Sequence, residues 1–167
     1  MIRGAIFDAD GTLLDSMGLW DTVGERYLRS LGIDPAPGLR QILFPMSLSQ
    51  CAAYLRERYA LTPSCQAIED GINQTILTFY QNQVRAKAGA VDFLQSLRRQ
   101  GVATYLATAT DRTVITQGLA RTGWQAGYRV AGVADPYSDQ AALRATCHIY
   151  LPDLTDFPGF YAQARQA

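Results

Sequence analysis

The chain has 167 residues, with 15 basic and 15 acidic side chains, 48% hydrophobic residues and 18% charged residues. That length allows one domain, or one domain with a modest insertion, and the composition argues against a disordered chain. Zero net charge removes the electrostatic footprint of a nucleic-acid binder. No stretch approaches the apolar length of a membrane span, and the first residues lack the pattern of a signal peptide. Three cysteines at irregular spacing (Cys51, Cys65, Cys147) suggest a reducing compartment without a disulfide framework, so a cytoplasmic protein is expected. His148 is the only histidine, which excludes zinc sites built on several imidazoles. Its setting reads as a strand edge.

In chain order, Gly4-Ala5-Ile6-Phe7 reads as a short buried parallel strand that ends at Asp8. Asp10-Gly11 makes a turn. A helix follows, capped by Asp15 or Ser16, striped by Trp20, Val23, Tyr27 and Leu31 and ended by Gly32. Ser47 to Gln50 has capping-box spacing before a helix faced by Leu48, Cys51, Ala52, Leu55 and Tyr59. Ile68, Ile72, Ile76 and Phe79 stripe another. No strand signal interrupts residues 15–83.

The pattern then alternates. A helix with Val91, Leu94 and Leu97 ends at Gly101, and residues 102–107 read as a strand. A helix with Val114, Ile115 and Leu119 ends at Gly123; a strand at 128–133, a short helix at 141–143, a strand at 147–151 and a weak helix at 157–164 follow. The expected fold class is α/β: a doubly wound, Rossmann-like parallel sheet core with an inserted all-helical cap. Residues 1–14 and 84–167 would form the core and 15–83 the cap.

The segment richest in chemistry is Phe7-Asp8-Ala9-Asp10-Gly11-Thr12-Leu13-Leu14-Asp15-Ser16. It places two carboxylates just past a strand end, the edge where open α/β sheets bind ligands. One carboxylate can attack as a nucleophile while the other handles protons. Turn N–H groups can cradle an anion, and hard oxygen ligands suit Mg²⁺.

This segment resembles motif I of the haloacid dehalogenase (HAD) superfamily. The resemblance implies that Asp8 is the nucleophile, forming an aspartyl-phosphate, and a Mg²⁺ ligand. Asp10 would be the general acid/base and bind the metal through its carbonyl; an Asp there points to phosphoryl transfer. Thr108, in Tyr105-Leu106-Ala107-Thr108-Ala109-Thr110, looks like motif II, whose hydroxyl bonds the transferring phosphoryl group. Gly11, Ala109 and Arg112 join Thr108 as candidate phosphate contacts. A helical cap directly after motif I is similar to subgroup IA, which includes phosphoglycolate phosphatase-like and β-phosphoglucomutase-like members. The implied partner is a small phosphorylated metabolite, with neither nucleic acid nor membrane.

The likeness fails between motif II and the late strand. The Lys of motif III and the acidic pair of motif IV have no counterpart, and Lys87 is the only lysine. Two substitutions are expected to compensate. The strand at 128–133 would pair beside the first strand and bring Asp135 to the sheet edge as a metal ligand. Lys87 or Arg112 would supply the missing cation. The alternative is a catalytically impaired or inactive HAD-fold protein, a binding module or the product of an internally deleted gene, lacking the motif III Lys and the motif IV acidic pair.

Overall fold

The computed structural model describes residues 4–123, 129–133 and 149–151. The chain divides into two compact units, Met1–Asp15 with Val84–Ala167, and Ser16–Gln83.

The first unit holds four parallel strands, β1 (Gly4–Asp8), β2 (Ala103–Ala107), β3 (Arg129–Val133) and β4 (Ile149–Leu151), hydrogen-bonded in that order. Helices α6 (Ala90–Arg99) and α7 (Arg112–Arg121) flank β2 in sequence. Parallel strands joined through helices make an α/β, Rossmann-like sheet. The β1–β2 register runs from Gly4↔Ala103 to Asp8↔Ala107, so both strands end level. β2 buries Thr104 and Leu106 on one face, with Thr108 just beyond its end. Leu94 of α6 and Ile115 of α7 are also fully buried.

Two expectations are overturned here. The strand after Thr108's helix pairs with β2 through Leu106↔Val130, not with β1. β2 already occupies one side of β1 along its full length, and β3 continues the sheet outward from β2's other side. β1 is therefore the terminal strand among the described residues. Nor is it buried on both faces: Ile6 is 51% exposed, and Phe7 meets the ring of Phe93, itself 51% exposed, edge-on at 5.9 Å. An apolar run does not distinguish an interior strand from a terminal one, which keeps the same residues with fewer neighbours.

After β1 the chain turns back on itself. Gly11 has φ +76°, a conformation that L side chains rarely adopt. The Gly11 N–H donates to Leu14 C=O at 2.9 Å, and the Leu13 and Leu14 N–H groups donate to Ala9 C=O at 2.9 and 2.8 Å. Leu13 and Leu14 are buried by this fold-back. Beyond them, Asp15 N–H donates to Arg85 C=O and Lys87 N–H to Leu13 C=O, flanking an antiparallel bridge between Leu14 and Ala86. Arg121 Nε adds a 3.1 Å bond to Val84 C=O.

The second unit has five helices among its residues: α1 (Met17–Trp20), α2 (Val23–Ser30), α3 (Leu39–Leu43), α4 (Leu48–Arg58) and α5 (Cys65–Asn82). The single helix expected after Asp15 is two. The two are separated at Asp21 and Thr22, which lie outside both helices. The buried face accordingly falls on Leu19, Tyr27 and Leu28, while Trp20 and Leu31 stay exposed. The capping box at Ser47 forms in full: Gln50 N–H donates to Ser47 Oγ, and Ser47 N–H donates to Gln50 Oε1. The Ile68, Ile72, Ile76, Phe79 stripe of α5 is buried throughout. Tyr27 lies against Gly71, where a Cβ would press into its ring.

No helix among the described residues is long and apolar enough to cross a membrane. The expected elements at 141–143 and 157–164, together with Cys147, His148 and Asp135, lie outside the described residues.

Candidate active site

Asp8 is the last residue of β1 and is exposed. Two residues on, Asp10 follows the fully buried Ala9 and opens the fold-back that Gly11 permits. The strand end thus presents one carboxylate, and the turn redirects the next. Each is held by a threonine. Thr12 Oγ1 donates to Asp8 Oδ2 at 3.0 Å, and Thr110 Oγ1 donates to Asp10 Oδ2 at 2.5 Å.

Thr110 comes from the end of the neighbouring strand. Because β1 and β2 are parallel and in register, their C-terminal ends lie side by side. The loop 108–110 after β2 therefore faces the loop after β1. Thr108 is buried to 9% exposure and accepts the Thr110 N–H on its own hydroxyl oxygen at 3.1 Å. Asp111 then caps α7, accepting the Thr113 N–H at 2.7 Å. Ala109 and Arg112 are exposed, the latter as the first residue of α7.

The expected site residues Asp8, Asp10 and Gly11 are thus contiguous, and Thr110 ties the Thr108–Arg112 segment to them. Gly11 contributes its backbone conformation, since its N–H is spent on Leu14 within the turn. Lys87 is exposed and joined through its backbone to Leu13. Two residues given no role from sequence, Thr12 and Thr110, hold the carboxylates. Their signal was position alone: each sits two residues beyond a residue already singled out, Asp10 or Thr108.

The donors suit a hard cation. Mg²⁺ uses one or two carboxylates and fills its other positions with water and substrate phosphate, which matches the oxygens that Asp8 and the Asp10 carbonyl offer at an exposed strand end. Among the described residues no three His, Cys, Asp or Glu side chains gather as a ligand cluster.

Comparisons place this geometry. The family model for haloacid dehalogenase-like hydrolases matches residues 5–135. No curated protein sequence matches the chain. Among solved structures, it is similar to a Thermotoga maritima protein assigned as a β-phosphoglucomutase, with TM-score 0.65 and 14% identity, covering 99% of this chain and 100% of that one. It is also similar to CbbY from Rhodobacter sphaeroides in complex with phosphate, with TM-score 0.58 and 16% identity, covering 87% and 71%. A Haemophilus somnus protein assigned as a phosphoglycolate phosphatase gives TM-score 0.58 and 11% identity, covering 94% and 96%. Parallel sheet, acidic strand end and a family match over most of its length agree: the chain belongs to the haloacid dehalogenase-like hydrolases.

Proposed function

We propose that the protein is a Mg²⁺-dependent phosphomonoesterase acting on a small phosphorylated metabolite through an aspartyl-phosphate on Asp8. The observation that carries this is the pair of carboxylates at one strand end, each fixed by a threonine hydroxyl, beside the buried Thr108 at the next. The phosphate bound by CbbY supports the same ligand class.

In the first step an Asp8 carboxylate oxygen attacks phosphorus. The bond from phosphorus to the ester oxygen breaks, and the Asp10 carboxyl gives its proton to the leaving alcohol. In the second, the Asp10 carboxylate takes a proton from water as that water attacks the aspartyl-phosphate. The phosphorus–Asp8 bond breaks, releasing inorganic phosphate. The Thr108 hydroxyl, the Ala109 N–H and Arg112 bind the phosphoryl oxygens at the start of α7, where a helix N-terminus favours anions. A Mg²⁺ ion held by Asp8 and the Asp10 carbonyl would offset the repulsion between two anions.

A second reading has its own observation. Lys87 is the only lysine and the Arg129–Val133 strand pairs with β2 rather than β1, so charge compensation at Asp8 rests on fewer groups than the family uses. That would leave a family member with an impaired site.

One assay separates the two. Mg²⁺-dependent hydrolysis of p-nitrophenyl phosphate by the wild type, abolished by chelation and by Asp8→Asn, is the expected result. Turnover equal in wild type and Asp8→Asn, with both folded by circular dichroism, establishes the impaired reading.

A further inference from the structure

We infer that Thr110 is the positioning residue for Asp10. The inference rests on Asp8 and Asp10 being the reacting carboxylates, and it concerns how the second is aimed.

Thr110 uses its hydroxyl differently from four other threonines among the described residues. Thr22, Thr75, Thr78 and Thr122 each donate to the carbonyl four residues earlier, the ordinary local bond of a helical threonine. Thr110 instead donates to a side-chain carboxyl oxygen 100 residues away in sequence, at 2.5 Å. The bond is half-buried, so water competes for it less than at an exposed pair.

Thr110 is itself held. Its N–H donates to Thr108 Oγ1 and the next residue, Asp111, is fixed as the cap of α7. A β-branched side chain has few χ1 choices, so a fixed backbone fixes the hydroxyl. Asp10, by contrast, sits in a turn created by Gly11, and strand alternation does not set its direction. Thr110 takes one carboxyl oxygen, Oδ2, which limits rotation of the group. The same residue orients the phosphate contact. Thr108 Oγ1 accepts the Thr110 N–H, which fixes the hydroxyl oxygen while leaving its O–H as a donor. Thr110 thereby sets the geometry of proton transfer relative to the bound phosphoryl group.

The test compares wild type, Thr110→Val, Thr110→Ser and Asp8→Asn in p-nitrophenyl phosphate hydrolysis with Mg²⁺. Losing one hydrogen bond to a charged group should lower kcat about tenfold to a hundredfold in Thr110→Val. KM should stay within about twofold, because the loss falls on the reacting step rather than on binding. Thr110→Ser, which keeps the hydroxyl, should recover kcat to within about threefold of wild type. If Thr110→Val does not fold by circular dichroism, Thr110→Ala removes the hydroxyl without adding bulk and is read the same way. A wild-type kcat in the variant lacking the hydroxyl, a change in KM alone, or a Ser variant as impaired as Val overturns the inference while leaving the phosphatase reading intact. Wild-type turnover no greater than that of Asp8→Asn overturns both.

Discussion

Thr12 Oγ1 donates to Asp8 Oδ2 at 3.0 Å, from a residue four positions further along the same chain. The bond closes over the Gly11 turn, so the orientation of the Asp8 carboxyl is set by its own loop. The pair is exposed, and water competes with it. Thr12→Val should therefore lower kcat by only about threefold to tenfold, the scale of one modest hydrogen bond. Asp8→Asn should abolish turnover. Steady-state kinetics of the two variants side by side measures the difference.

Gly71 and Gly18 make an internal comparison in the second unit. A Cβ on Gly71 would press into the Tyr27 ring, reaching Cζ at 3.2 Å and Cδ2 at 3.3 Å, with Cε2 closer still. That ring is 5% exposed and has little room to swing away. Gly71→Ala should destabilise by about 1–2 kcal/mol, overpacking exceeding the gain in helix propensity. Gly18 has nothing within 4 Å of the same position. Gly18→Ala should stabilise by about 0.5–1 kcal/mol. Urea unfolding midpoints of both variants check the opposite signs.

Tyr27 also makes stability depend on alkaline pH. Burial pushes its phenol above the ordinary value of 10.0 by disfavouring the phenolate. The folded state therefore keeps this proton to higher pH than the unfolded chain does. Its contribution is fully present below the ordinary value and is lost as pH rises through the raised one. Wild type should lose stability faster than Tyr27→Phe as pH rises from about 9 to about 11. Parallel slopes in chemical denaturation across that range would contradict the assignment.

Legibility in the sequence followed how local the determining physics is. The Ser47–Gln50 box and the Ile68–Phe79 stripe depend on spacing within one helix, and both appear as read. The strand end at Asp8 and the turn at Asp10-Gly11 were likewise legible, because both are encoded within a few residues. The placement of residues 129–133 was not legible, since the choice between β1 and β2 as partner leaves no mark on the strand itself. Exposure of Ile6 followed from the same choice. The break at Asp21 and Thr22 was missed because a continuous apolar stripe can be drawn across it. Thr110 was not legible as a contact because its partner, Asp10, lies 100 residues away in sequence, in the turn after another strand.

The pairing of Gly4 with Ala103 carries a consequence for how the chain finds its structure. Closing a loop of about a hundred residues costs entropy before any β1–β2 contact rewards it. The ties from Leu13 to Lys87 and from Asp15 to Arg85 shorten that search. Once residues 16–83 have condensed through their local helices, their ends emerge as an antiparallel neck rather than as free coil, and only a short further closure remains before β1 meets β2. The helical insertion then acts as a folding clamp: destabilising it should slow formation of a sheet to which it contributes no strand.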